Sequence, residues 1–306
     1  MVNRILIRIK VVQIVYSFLK GDKDMSTAEK ELFFSLEKAY DLYHYLLVLM
    51  IELTDLQKKR LDTAKAKYMP TYEDLNPNTR FIDNRFIQTL RNTPQLVDYI
   101  AQQKLSWVNE SDFLKVLLDE ILASELYQKY MDSADDSFKA DRDFWRQVFK
   151  NIIGPNELMS EILEDQSLYW NDDLDVIGTF ALKTIKKFEE DTETNQLLPM
   201  FKDEEDGEFA RKLFRRSLLD ADRFRKLIEE NTQNWDIDRL AFMDIVIMIV
   251  ALAEITSFPS IPVKVSLNEY IEIAKNYSTQ RSGKFINGIL DGIVTRLKKE
   301  GEITKD

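Results

Sequence analysis

Chain reversals in β-rich folds draw heavily on glycine and proline, and this 306-residue chain holds only 8 of one and 7 of the other. Leu, Ile, Glu and Lys abound instead. So sparse a supply of turn residues disfavours an all-β fold and predicts an all-α one. Hydrophobic residues at 44% beside 31% charged residues are the balance of a soluble globular protein rather than a disordered chain. The length suffices for one large domain or two ordinary ones.

Several chemistries are excluded at once. There is no cysteine, so disulfides, thiolate zinc sites and cysteine nucleophiles are absent, as suits a reducing compartment. One histidine, His44, leaves little room for imidazole chemistry; with Asp41 it is spaced like half of a di-iron bundle site, but the second histidine is missing. A surface or interface histidine flanked by tyrosines is the reading for His44. Gly207, Gly283 and Gly288 are isolated, so no phosphate-cradling loop is present. These features predict a non-enzymatic protein with no metal and no cofactor. Arg4, Arg8 and Lys10 interrupt the apolar start, no cleavage site follows, and the longest apolar run, Ile245 to Ala253, is too short to span a bilayer. The expected location is the cytoplasm.

The formal charge of −11 argues against indiscriminate nucleic-acid binding, yet it is unevenly spread. No acid precedes Asp22, while Lys275 to Lys299 contains Arg281, Lys284, Arg296 and Lys298 against Asp291 alone. Brought together by the fold, the two ends would make a basic patch on an acidic protein.

Periodicity places a helix over Asn3 to Leu19, apolar nearly all round, with Lys10, Gln13, Ser17 and Lys20 on one polar strip. Ser26 and Glu29 are spaced as a capping box at the head of a long helix through Leu32, Tyr43 and Ile51 towards Leu61. Met69 to Asn78 reads as a loop. Helices are then expected over Leu90 to Ile100, Phe113 to Tyr130, Phe144 to Ile153, Leu158 to Leu163 and Leu174 to Phe188. Asp132 to Ala140 and Glu189 to Asn195 read as acidic connections. Phe144, Arg146, Phe149, Glu164, Trp170 and Asp173 recur 65 residues later as Phe209, Arg211, Phe214, Glu229, Trp235 and Asp238, a pattern that fits a duplicated helical unit and equally a chance agreement between two amphipathic stretches. Trp170 and Trp235 read as core anchors. Met243 to Ile255, apolar almost all round, reads as the buried central helix.

The most informative stretch is Ile261 to Asp291. Ser266 and Glu269 have capping-box spacing, Leu267, Tyr270, Ile271 and Ala274 mark one apolar face, and Ser282 stands where it can cap a second helix bearing Phe285, Ile286, Ile289 and Leu290. The arrangement IPxxVxxNExxxxAK, a short loop, then SxKFxNGxLD resembles the C-terminal signature of the NusB family of transcription antitermination factors. Arg239, Leu240, Asp244, Ala251, Glu254 and Ile255 agree with the same family, as do Arg8, Gln13 and Tyr16 in the first helix. The chain departs from the family in having only Arg4, Arg8 and Lys10 where relatives cluster arginines, and Ile249 where many carry arginine.

The resemblance implies a NusB-like all-α helical bundle of two subdomains (1–66 and 203–306) with a large helical insertion at 67–202. It implies a factor that binds boxA RNA of ribosomal leaders with NusE, a small-subunit ribosomal protein, within the RNA polymerase antitermination complex. Tyr16, Lys284, Phe285 and Asn287 match positions that the family associates with RNA contact; on periodicity, Tyr16 and Phe285 serve equally as core. Lys10, Gln13 and Lys20 are the polar groups expected to be exposed on the first helix. Arg4 and Arg8 are candidate phosphate contacts, with solvated charges at a helix start as the alternative. The rival function is a protein-interaction scaffold that docks a ribosomal or transcription partner without direct RNA binding, and the sparse arginines, Ile249 and the net charge support it.

Overall fold

Helix forms nearly everywhere that the periodicity predicts it. The computed structural model describes residues 1–171, 173–191, 194–232, 241–279 and 281–305. It opens with α1 (Arg4–Lys20), the long α2 (Met25–Lys65) and the one-turn α3 (Tyr72–Leu75). There follow α4 (Arg85–Arg91), α5 (Pro94–Gln103), α6 (Ser111–Ala123), α7 (Glu125–Asp132) and α8 (Phe138–Val148). Then come α9 (Glu157–Gln166), α10 (Leu174–Lys187), α11 (Glu204–Leu219) and α12 (Ala221–Asn231). The last three are α13 (Phe242–Ser257), α14 (Val263–Tyr277) and α15 (Ser282–Lys299). Among the described residues the sole β pairing is an isolated bridge between Val2 and Phe201. Trp235, Asp238, Arg239, Leu240 and Gln280 lie outside the described residues.

Local chemistry moves several boundaries. The helix expected over Leu90 to Ile100 is two, because Pro94 starts α5 at its first turn and Thr93 before it is extended. Ser124 divides Phe113 to Tyr130 in the same way: it is extended, and its hydroxyl accepts from the Tyr127 amide at 3.1 Å to open α7. The expected Ser26 box is displaced, since Asp24 takes the Thr27 amide at 3.0 Å and its hydroxyl at 2.6 Å. A capping box does occur inside the presumed loop, between Thr71 and Asp74 at the head of α3.

The chain divides into two compact units. One is Met1 with Glu37–Met200, and the other is Val2–Leu36 with Phe201–Asp306. In the second, α13 is the central helix that its composition demands: Ile245 to Ile255 is buried without interruption, and α1, α11, α12, α14 and α15 pack around it.

In the first unit aromatic rings build the core. Trp107 stacks on Tyr45 at 3.9 Å, and its indole N–H donates to the Tyr45 carbonyl at 3.0 Å. Trp170 is a core anchor as expected, donating to the Lys38 carbonyl at 2.7 Å. His44 is not on the surface. It is 1% exposed, stacked on Tyr99 at 3.7 Å with Tyr40 edge-on at 4.4 Å. Its Nδ1 lies 2.8 Å from the Tyr40 carbonyl, which can only accept, so Nδ1 carries the proton. Asp41 is bound instead by Tyr99 and Lys38, both at 2.6 Å.

The 65-residue echo has a structural counterpart. A π-helical turn, Phe149–Ile153, continues α8. Adding 65 to each residue number lays α8 and that turn onto α11, and α9 onto α12, to within a residue. Phe144 and Phe149 are buried as Phe209 and Phe214 are, and Leu163 as Ile228 is. The buried Asp141 and Asp206 also correspond, and each pairs with the arginine that opens a helix packed on its own: Arg85 of α4 at 3.3 Å and Arg4 of α1 at 3.7 Å. Asparagine precedes both arginines and caps both helices, Asn84 accepting from Ile87 and Asn3 from Leu6. Each unit thus contains the same two-helix pairing, α4 on α8 in one and α1 on α11 in the other.

Burial holds the His44 imidazole neutral, lowering its pKa to about 4, with the Tyr40 carbonyl and Asp41 opposing only in part. Between about pH 6.5 and 4 the unfolded chain takes up a proton that the folded one refuses, so this stability is complete above that window and lost as pH falls through it. The loss amounts to about 3 kcal/mol, and urea titrations of His44→Gln should lack that part of the slope.

Candidate nucleic-acid interface

The residues that the sequence singles out on α1 separate along its length. Asn3 accepts from the Leu6 amide at 2.9 Å and fixes the helix start. From there Arg4 and Tyr16 are 12 residues, or about 18 Å of helix, apart. Arg4 reaches Glu205 at 3.9 Å and Asp206 at 3.7 Å and lies over the Phe209 ring. It is an ion-paired residue at the far end from Tyr16.

Arg8 turns inward and is 4% exposed. Its Nε and Nη2 each donate to the Glu254 carboxylate of α13 at 2.8 Å, a two-point pairing that a lysine could not make. Glu254 is fully buried and accepts two more bonds from α14, Ser266 Oγ at 2.7 Å and Tyr270 Oη at 2.9 Å. Glu269, also on α14, stands 3.6 Å from Arg8 Nη1. Burial by itself would lower the Arg8 pKa, but the hydrogen bond and charge of Glu254 more than reverse this and raise it. Burial, followed by the charge of Glu254, drives the Tyr270 phenol well above its ordinary value.

Three expectations are corrected here. Arg8 is not an open phosphate contact, because its cation is committed to Glu254. Lys10, expected to be exposed, is 1% exposed, because α1 is wrapped by α11 and α13 over this stretch and its polar strip reaches solvent only further on. The Ser266–Glu269 capping box does not form: α14 begins at Val263, so both residues lie inside the helix, with Ser266 bound to Glu254.

The C-terminal half of α1 is different. Gln13 and Tyr16 are half-buried and Lys20 is exposed. Tyr16 meets the Phe242 ring edge-on at 5.2 Å, and the Lys20 ammonium lies 4.2 Å over the same ring. Phe242 is the first residue of α13. Two residues on, the buried Asp244 accepts from Ser282 at 2.9 Å and from Ser278 at 2.5 Å, which anchors the start of α15 to the start of α13. Ser282 therefore does not act as a simple N-cap. On the first turns of α15 Lys284 and Asn287 are exposed and Phe285 is half-buried. At the α13 start Tyr16 and Lys20 thus meet Phe242, and the bonds to Asp244 tie to it the start of α15, whose first turns carry Lys284, Phe285 and Asn287. Half-open rings beside cations and an amide are the components that hold single-stranded bases and phosphates. Phe242 escaped the sequence reading, since nothing in helical spacing distinguishes it from the buried residues that follow.

The two basic termini do not add up to a large patch. Arg4 and Arg8 are paired, Lys275 is bound to Glu272, and Arg296 to Glu230 and Glu300. Ile249, where relatives carry arginine, is 2% exposed.

Residues 174–295 match the model of the NusB family. Transcription antitermination protein NusB of Salinibacter ruber is 40% identical over 108 residues, which are 35% of this chain and 68% of that protein. The chain belongs to the NusB family. NusB of Chloroherpeton thalassium is 45% identical over 78 residues, covering 26% of this chain and 37% of that one. A solved structure of T. maritima NusB is 28% identical and covers 49% of this chain and 90% of that one at a TM-score of 0.30, too low for superposition to locate a residue. The NusB match begins within α10 and runs through α11 to α15, so it takes in the α13 start, Glu254 and the first turns of α15, but not α1.

Removing one partner of a buried ion pair leaves the other charged and unsolvated. Arg8→Met should therefore destabilise the chain by about 3–5 kcal/mol in urea unfolding, and the Arg8→Met/Glu254→Leu double variant should recover much of that loss. A double variant no more stable than Arg8→Met would mean that the bonds of Ser266 and Tyr270 to Glu254 matter more than the charge pair.

Proposed function

We propose that this chain is a transcription antitermination factor that holds boxA-type single-stranded RNA together with NusE, and that the RNA lies across the α13 start. Family membership supports the antitermination role, and relatives are named for it. The single observation that carries the RNA reading is the meeting of Tyr16 and Lys20 with Phe242 at the helix start to which Asp244 ties the beginning of α15. In this reading the aromatic edges take bases, Lys20 and Lys284 take phosphates, and Asn287 offers an amide that can both donate and accept. No bond chemistry is involved. Among the described residues no cluster of three or more His, Asp or Glu is arranged to hold a metal, and no helix is long and apolar enough to cross a membrane.

Few cations face this surface. Neutralising about two phosphates gives a slope of about −1.4 in log affinity against log salt. Binding of a boxA oligonucleotide and a scrambled control, with and without NusE, is the direct test. Tyr16→Ala should weaken boxA binding by about 1–3 kcal/mol, and Lys284→Glu, at an exposed position, should flatten the salt slope with an unchanged unfolding curve. Arg8→Glu is uninformative here, because it would break the core before reporting on RNA. Equal affinity for boxA and scrambled RNA, with NusE still bound, would replace this reading by the scaffold. The burial of Arg8 and Lys10 is the observation that favours that alternative.

A further inference from the structure

The outer face of α11 carries its charges in two blocks of opposite sign. Glu204, Glu205 and Glu208 occupy its first two turns, and Arg211, Lys212, Arg215 and Arg216 its last two, all exposed. Glu29 of α2 takes both Arg211, at 3.2 Å, and Arg215, at 2.5 Å, with one carboxylate, and Lys212 lies 4.7 Å over the Phe258 ring. Two open cavities flank the helix. The larger, of 690 Å³, lies between the basic end and Arg4, Phe258 and Ser260. The other, of 500 Å³, lies between the acidic end and Phe33 and Phe201. Leu219 stands 64% exposed at the basic end.

We propose that this face binds the same face of a second copy of the chain, with the two α11 helices antiparallel about a two-fold axis near residue 210. In that register Glu204 faces Arg216 and Glu208 faces Lys212, and the dyad repeats each pair; Glu205 and Arg215 also oppose one another, although within the chain they already meet Arg4 and Glu29. A two-fold contact requires a patch complementary to itself, and a helix acidic in one half and basic in the other meets that requirement only when antiparallel. The same pattern disfavours other occupants. A nucleic-acid strand along α11 would meet three carboxylates, and a uniformly acidic or basic peptide would be repelled by one half. The long side chains of the opposing helix have the flanking cavities to enter, in the manner of ridges meeting grooves. The helix pair alone falls short of the roughly 800 Å² per partner typical of stable complexes, so the dimer should be weak and concentration-dependent. None of this rests on the RNA reading, since Tyr16 and the α13 start are not part of the face.

Sedimentation of the full chain across a concentration series tests the proposal. Wild-type protein should self-associate reversibly, and less so at high salt. Lys212→Glu/Arg216→Glu and Glu204→Lys/Glu208→Lys change exposed side chains only, and each should weaken self-association by about 100-fold or more with an unaltered circular dichroism spectrum. An equimolar mixture of the two variants should associate again, because every facing pair is then of opposite sign. Wild-type protein that stays monomeric at all concentrations would overturn the proposal. So would a dimer that both reversals leave intact, or a mixture that fails to associate. A monomer whose RNA affinity falls on Lys212→Glu/Arg216→Glu would assign the face to nucleic acid instead.

Discussion

The second unit is tied together at one buried carboxylate. Glu254 accepts from Arg8 twice and from Ser266 and Tyr270 once each, so a single side chain joins α1, α13 and α14. Taking a carboxylate and a guanidinium out of water costs several kcal/mol per ion, which is recovered only when geometry and hydrogen bonding are close to ideal. Four bonds of 2.7–2.9 Å meet that condition. The arrangement also has consequences for specificity. A slide of α1 along α13 would strand both charges, so the pair sets the register in which Tyr16, two turns further on, meets Phe242.

That register divides α1 by function. Its first half is committed to the core and to the acids of α11, through Arg8 and Arg4, and its second half rises towards solvent. Asp244 does for α15 what Glu254 does for α1, drawing Ser278 and Ser282 onto α13. The candidate RNA surface is thus held by two buried acids that never touch it. A single-stranded ligand needs such rigidity, because stacking on a ring is productive only when the ring is already oriented.

The repeated arrangement in the first unit shows which parts of this plan are separable. The asparagine cap, the following arginine and its buried aspartate partner recur, as do the two phenylalanines of the packed helix. Glu254 has no such counterpart: 65 residues earlier stands Glu189, beyond the end of α10 and beside Arg142. The first unit builds its core from Trp107, Tyr45, Tyr99 and His44 instead.

The sequence by itself determined the helical class, the buried central helix and the family. Turn-residue scarcity, unbroken apolarity over Met243 to Ile255 and the fixed spacing in Ile261 to Asp291 are properties of order along the chain, and each survives any tertiary arrangement. It also suggested the 65-residue echo, although six matching positions do not distinguish a repeat from two similar amphipathic helices until the burial and the Arg–Asp pairs coincide. What only the tertiary structure decided was the fate of charged and hydroxyl groups. Arg8 and Lys10 look like surface cations, Ser266 like a cap and His44 like a surface residue, because charge and spacing say which groups can bond but not which partners arrive. Glu254 stands 246 positions from Arg8, and Tyr99 stands 55 positions from His44. The folding of helices against one another brought those partners within 4 Å, and that proximity turned cations expected to face solvent into core.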